Sequence, residues 1–386
     1  MSKNQTFFES AITAKYFGFI PTSAGSVSKD HITNTESHRK EKDYLDDDLF
    51  PMEEAVAILH NFKEKSDKDL KESKAIYFEG NYSGGHKKHR GGKGEEIINL
   101  HFLNSDKSIT DSTIIKTAEA ILTENGYKNI CVKLNNIGGK EAQIAYTKEA
   151  TAYYRKNINE LNAHCRQLFK QSVHELITKG SSQCTSLHEE APKPMEFLGE
   201  DSRKHFSDIL ESLEILNIKY EIDQSVLGDP DLSSHTVFKI IDCDTDKVIA
   251  AGTRYDLLAR KIALRKDIPA MGVTMKINKP KKATKIALKK LDDGKLFFMQ
   301  IAQAAKLKAL YIVDELRKAE IPVKHLIHRD RLTSQLSASK KHKADYLIIL
   351  GQKEAMDGSI IVRDKENKHQ SIVKQDALVK HLKSLK

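Results

Sequence analysis

From Gly294 to Lys386 the chain alternates strand-like and helix-like apolar patterns, which leaves little choice of fold for that stretch. An apolar run from Lys295 to Met299 reads as a strand. Ala309, Ile312, Val313 and Leu316 follow at i, i+3, i+4, i+7, the spacing that puts side chains on one face of a helix. Ile321-Pro322-Val323 opens the next strand, and Tyr346–Leu350, stopped by Gly351, is another. A hairpin and a closing helix on Leu378, Val379, Leu382 and Leu385 complete a compact α/β module. Its surface is basic. From Lys276 onward 26 Lys and Arg stand against 12 Asp and Glu, a net +14; the whole chain is +9, which leaves −5 for residues 1–275. Positive charge gathered at one end points to a polyanionic partner there.

With 386 residues the chain has room for two or three domains. Hydrophobic residues make up 39% and charged residues 30%, the balance of a soluble protein rather than a disordered one. No apolar run approaches the roughly 18–20 residues of a membrane span, and Met1–Thr6 has no signal-peptide pattern. Cys131, Cys165, Cys184 and Cys243 show no CxxC spacing. Neither a zinc site nor a disulfide framework is expected, and the natural compartment is a reducing cytoplasm.

Three stretches of the C-terminal module match a known pattern together: Asp314-Glu315-Leu316-Arg317-Lys318-Ala319, Leu332 to Ser339, and Ala344 to Glu354. The module resembles the anticodon-binding domain of class II aminoacyl-tRNA synthetases, the histidyl enzyme in particular. Upstream, Gly126 to Gly138 resembles the family's strand ending in "INNxG", and the alternation of Ile130, Val132 and Leu134 supports a half-buried strand independently. Tyr146 to Arg166 reads as one helical stretch and resembles the helical insertion of bacterial histidyl enzymes. The resemblance implies an α+β fold: a class II synthetase-like antiparallel sheet core at 1–290 with a helical insertion at 145–192, then an anticodon-binding-like α/β domain at 291–386. It also implies a homodimer.

The scaffold pattern survives while the chemistry does not. Class II synthetases meet ATP with two arginines and Mg²⁺, because charge developing on phosphate needs fixed, permanently positive, bidentate donors. In the second class motif, Ser83 stands at the arginine position and Gly85 at the glutamate, with Ile97 and His101 at the later glutamine and glutamate. In the stretch resembling the histidine-specific signature, Gly228 replaces the arginine and Leu232 and Ser233 the two tyrosines; Asp231 keeps its identity. The third motif ends on Lys279 where an arginine belongs, and Phe50-Pro51-Met52 aligns with the family's "RPE", leaving Glu53 as an alternative carboxylate. The "GGRYDGL" signature is well kept as Ala251 to Leu258, so Arg254 and Tyr255, with Asp231, are expected to face an amino-acid-like pocket as its remnant.

The low-complexity segment Gly84 to Gly94 is not a P-loop, since no glycine stands five before Gly92-Lys93 and Gly94 replaces the needed Ser or Thr. Lys87, Lys88, Arg90 and Lys93 make it a candidate phosphate-contacting loop; solvated linker is the other reading. Lys279 to Lys282 and Lys289-Lys290 read equally as linker or as a phosphate-contacting hinge. For RNA the candidates are Arg329, Arg331, Gln335, Lys340, Lys341 and Lys343, with His325 and His328 beside them. Trp is absent, so base stacking would rest on Tyr, His or Arg.

The first expectation is a catalytically degenerate protein of this family, binding tRNA or structured RNA, with no cofactor, no metal and no membrane. The second is an active histidine–tRNA ligase, which requires ATP and Mg²⁺. The third is a regulatory subunit resembling the synthetase-like partner of ATP phosphoribosyltransferase, a paralogue that generally lacks the anticodon domain read here.

Overall fold

A computed structural model describes residues 7–31, 33, 50, 52–64, 72–83, 95–180, 184–262, 268–278, 280–282, 291 and 294–385. Two sheets organise them. The first has eight strands: β1 Ile20–Pro21, β2 Lys74–Glu79, β3 Glu95–Leu103, β4 Ile130–Asn136, β5 Tyr220–Ile222, β6 Ser234–Asp242, β7 Lys247–Arg254 and β8 Ala270–Asn278. Their spatial order is β1-β2-β3-β8-β7-β6-β4-β5. The sheet is antiparallel through its middle and parallel only at its edges, β1 with β2 and β5 with β4. The second sheet, in order β10-β9-β11-β12-β13, holds β9 Leu296–Gln300, β10 Val323–His325, β11 Tyr346–Leu350, β12 Ser359–Asp364 and β13 Gln370–Lys374.

Thirteen helices are described with these strands: α1 Ser10–Tyr16, α2 Met52–Glu64, α3 Ser108–Glu124, α4 Lys140–Lys156, α5 Ala163–Gln171, α6 Val173–Lys179, α7 Thr185–Glu190, α8 Glu200–Ile215, α9 Leu258–Lys261, α10 Gln303–Lys318, α11 Leu332–Lys341, α12 Gln352–Asp357 and α13 Leu378–Ser384. None is long and apolar enough to cross a membrane. The chain therefore forms an α+β core on an antiparallel sheet, followed by an α/β unit on a second sheet.

Alternation along β3 sets the two faces of the large sheet. Ile98, Leu100 and Phe102 join the main core beneath α3, matched across the register by Met275, Val273 and Met271 of β8. Ile97, Asn99 and His101 point the other way. Helix α3 packs on the sheet and is covered in turn by α8 and α10, so its polar residues are buried with its apolar ones. They are satisfied locally: the Thr113 and Thr117 hydroxyls donate to the Ile109 and Thr113 carbonyls, 2.6 Å each. Gly126, at φ +98°, turns the chain out of this helix with the left-handed backbone that glycine tolerates best.

Between β4 and β5, α4–α7 build a satellite core around Tyr146, Tyr154, Leu161, Leu168 and Leu176. The stretch expected as one helix is two. Helix α4 stops at Lys156, and Asn162 starts α5 by accepting the Cys165 N–H at 2.8 Å, as an N-cap asparagine does.

The C-terminal unit seats α10 against α3. Lys116 reaches Asp314 at 3.1 Å with both side chains buried, and Arg317 bridges Asp314 at 2.8 Å and Glu124. His328 meets the Phe102 ring edge-on at 5.1 Å, and His325 Nε2 donates to the Tyr16 carbonyl at 2.7 Å. Apolar residues of both units belong to one continuous core.

Candidate functional site

On the sheet face turned away from α3, aromatic side chains pack together. His101, wholly buried, shares a 2.9 Å hydrogen bond with the Tyr255 hydroxyl and lies flat against Phe78 at 5.6 Å between ring centroids. Phe50 packs on both, 5.6 Å from His101 and 5.7 Å from Tyr255. Glycine at 272 makes this possible, since a Cβ there would stand 2.5 Å from His101 Nδ1. Burial pushes the His101 imidazole down to about 3, so it is neutral at physiological pH. Next to it, Thr274 donates to Asn99 Oδ1 at 2.7 Å and Asn99 Nδ2 donates to the Gly80 carbonyl at 3.0 Å, so these polar groups serve each other. Over β6 and β7, among Val226, Gly228, Asp229, Ser233, Val237 and Thr253, lies a cavity of about 20 Å³. A water fits in such a space; histidine does not.

None of the three expected pocket residues lines that cavity. Arg254 sits on the opposite side of β7, under α3. Its Nε donates to Asp111 at 2.9 and 3.0 Å, its Nη1 to Asp256 at 3.0 and 3.1 Å, and its Nη2 to the Ser105 carbonyl at 3.1 Å. Asp111 also accepts from His205 at 2.9 Å and Thr236 at 2.8 Å. Burial works against charge on both groups, but Arg254 holds the Asp111 carboxyl well below the usual range, and Asp111 with Asp256 holds the guanidinium charged. Arg254 is thus a structural tie, and the expectation that it faces a ligand is corrected. Tyr255 lies on the face away from α3 and is wholly buried there with its hydroxyl on His101, so it packs that face rather than lining an open pocket. Asp231 is buried; its N–H donates to Asp229 at 2.8 Å and its carboxylate lies 3.9 Å from Lys261 Nζ. Of the second-motif positions, Ser83 is described, bonded through its backbone to Gly25 and Val27. Gly85, Lys87, Lys88, Arg90, Lys93, Lys279 and Lys289-Lys290 lie outside the described residues.

The RNA candidates divide. Gln335 is corrected: it is wholly buried, its Oε1 accepting the Gln300 N–H at 3.1 Å and its Nε2 donating to the Gln300 and Arg329 carbonyls at 2.9 and 3.0 Å. It locks α11 onto β9 and cannot read a base. Arg329 is half-buried and engages Glu72 at 2.9 Å. His325 and His328 turn into the core rather than outward, and burial pushes them down to about 4 and about 3. Arg331, Lys340, Lys341 and Lys343 are exposed. On α11 with Lys340 and Lys341 lie Leu332, 40% exposed, and Leu336, 37% exposed. This exposed apolar pair was missed in sequence. Glu54 was missed too: buried in α2, it accepts the Tyr82 N–H at 3.1 Å, and burial pushes its carboxyl up to about 8.

The Anticodon binding domain family matches residues 282–385. Histidine–tRNA ligases of Listeria innocua and Fervidobacterium nodosum are 25% and 28% identical over 269 and 257 residues, 68% and 65% of this chain. The matched stretch spans 63% and 60% of those relatives' own length. Two solved structures align over most of the chain: apo histidyl-tRNA synthetase of S. aureus (16% identity, 96% of this chain and 93% of that one, TM-score 0.49) and an ATP phosphoribosyltransferase regulatory subunit/histidyl-tRNA synthetase from Bacillus halodurans (13%, 89% and 92%, TM-score 0.47). Residues 282–385 thus form an anticodon-binding domain by their family match. Over about two thirds of its length the chain is similar to histidine–tRNA ligases, so it is histidyl-tRNA synthetase-like in sequence.

Proposed function

We propose that this chain binds tRNA or another structured RNA through its C-terminal domain and does not activate histidine. The filled sheet face carries the proposal: Phe50, Phe78, His101 and Tyr255 occupy it and leave about 20 Å³ beside them. Activation needs room for an amino acid and ATP, cations on the phosphates, and Mg²⁺. The arginine carried over from the family signature, Arg254, is engaged by Asp111 and Asp256. Among the described residues no three His, Cys, Asp or Glu gather to hold a metal ion. On this reading the described core takes neither ATP nor Mg²⁺. The RNA half is supported by the family match over 282–385 and by the exposed cations Arg331, Lys340, Lys341 and Lys343. A cytoplasmic homodimer is part of the same proposal, the pairing being what the class resemblance implies.

A second reading, an active ligase, is favoured by the names of the matched relatives. It needs phosphate-binding cations from outside the described core face, and Lys87, Lys88, Arg90 and Lys93 are the candidates. Titration calorimetry separates the two. Neither histidine nor ATP with Mg²⁺ gives saturable heat on our reading; micromolar to millimolar binding of either contradicts it. Filter binding of tRNA is expected to weaken at least tenfold between about 50 and 200 mM salt, the mark of phosphate contacts. Undetectable binding at the lower salt contradicts the RNA half.

A further inference from the structure

We propose that Cys165 and Cys184 form a reversible disulfide that staples the helical insertion, a property independent of the RNA-binding reading. Cys165 lies in α5 and Cys184 immediately precedes α7, 19 positions along the chain. Folding brings their sulfurs to 2.8 Å, both buried in the satellite core with Tyr154, Leu168 and Leu187. Spacing in the sequence hid this pair, because the contact is made by helix packing and not by a local CxxC turn. Among the described residues no further ligand completes a metal site around them. The neighbouring Tyr154 hydroxyl is engaged elsewhere, with His188 Nδ1 at 2.7 Å. Two thiols held face to face on separate elements are placed for cross-linking.

The oxidant is a low-molecular-weight disulfide or the disulfide of a thiol oxidoreductase. Both thiols are buried, so exchange proceeds through local opening of the insertion: Cys184 attacks one sulfur of that disulfide as thiolate, the oxidant's S–S bond breaks, one thiol leaves, and a mixed disulfide remains on Cys184. The Cys165 thiolate then attacks Cys184 Sγ, and the second thiol leaves. Two cysteines are oxidised, one disulfide is reduced to two thiols, and the two cysteine protons end on the departing sulfurs.

The staple bears on the core as well. The satellite core includes Val226, Leu227 and Val237, and His174 of α6 donates to the Gly228 carbonyl at 2.8 Å. Val226, Gly228 and Val237 wall the small cavity on the sheet face. Oxidation would therefore hold that wall more firmly in place.

The test uses the full chain, equilibrated with reduced and oxidised glutathione, trapped with N-ethylmaleimide in denaturant and digested with trypsin. Arg166, Lys170 and Lys179 put the two cysteines in different tryptic peptides. A Cys165–Cys184 linked peptide is expected, about 2 Da lighter than its two thiol components and lost on treatment with dithiothreitol. Cys243 is exposed and serves as the positive control for labelling of native protein. The oxidised chain is expected to melt on the order of a few degrees higher, a shift absent in Cys165→Ala and in Cys184→Ala. Maleimide on both cysteines at every glutathione ratio, or linkage to Cys131 or Cys243 instead, overturns the proposal. The peptide map needs no variant, so a substitution that fails to fold leaves the test intact.

Discussion

Arg254 lies under α3 and pairs with Asp111 in that helix's first turn, each satisfying several further groups, and removing either leaves an uncompensated charge in the core. Asp111→Asn is expected to cost about 3–5 kcal/mol of stability, read as a lower urea midpoint; a midpoint unchanged from the parent would mean the tie is not structural. Buried titratable groups make a second prediction. Burial pushes His101 and His328 down to about 3 and His174 and His325 down to about 4. The unfolded chain binds those protons near 6.5, so between about 6.5 and 4 it holds more protons than the folded one, and stability falls as pH drops. Glu54 works the other way. Its folded value of about 8 lies above its unfolded one, so its contribution is complete below about 4.5 and lost as pH rises towards 8. Four histidines outweigh one glutamate on the acid side, each group contributing about 1.4 kcal/mol per pH unit within its window. Stability is expected to peak near pH 6.5, and Glu54→Gln to flatten the alkaline limb. Urea midpoints across pH 5 to 8 check this; a midpoint that rises towards pH 5 contradicts it.

At the scale of elements, the strands and helices of the C-terminal module and β4 were legible in the sequence, because period-2 and period-3.6 apolar patterns record burial directly. The side each functional residue takes was not. Arg254 ends β7 on the α3 side of the sheet, and a motif match says nothing about which way the alternation points it. On α11, Gln335, expected on RNA, is buried with Ser339, while Leu332 and Leu336 are partly exposed. The break between α4 and α5 turns on one capping asparagine within a helix-like composition. These placements define the RNA-facing test. Replacing Lys340, Lys341 and Lys343 together with Ala is expected to lower the slope of log affinity against log salt by about 2–3, at about 0.9 per lost phosphate contact. Gln335→Ala is expected instead to destabilise by about 1–3 kcal/mol through the orphaned Gln300 backbone, with an unchanged salt slope in whatever remains folded. Equal slopes for the lysine triple and the parent would move the RNA surface elsewhere.

At the scale of the molecule, charge and filling divide the labour. Residues 1–275 carry −5 and the remainder +14, and the two units dock through Lys116–Asp314, Arg317–Glu124 and the His325 and His328 contacts. The core holds the basic unit in place while its own open face is taken up by aromatic side chains. The charge asymmetry could be counted from composition alone. The filling could not, because it depends on Phe50, Phe78, His101 and Tyr255 meeting from α2's approach, β2, β3 and the end of β7. Histidine-dependent ATP–pyrophosphate exchange tests that account most directly. No exchange above the histidine-free background is predicted, with a matched active histidine–tRNA ligase as positive control; exchange that rises and saturates with histidine would contradict the filled-face account.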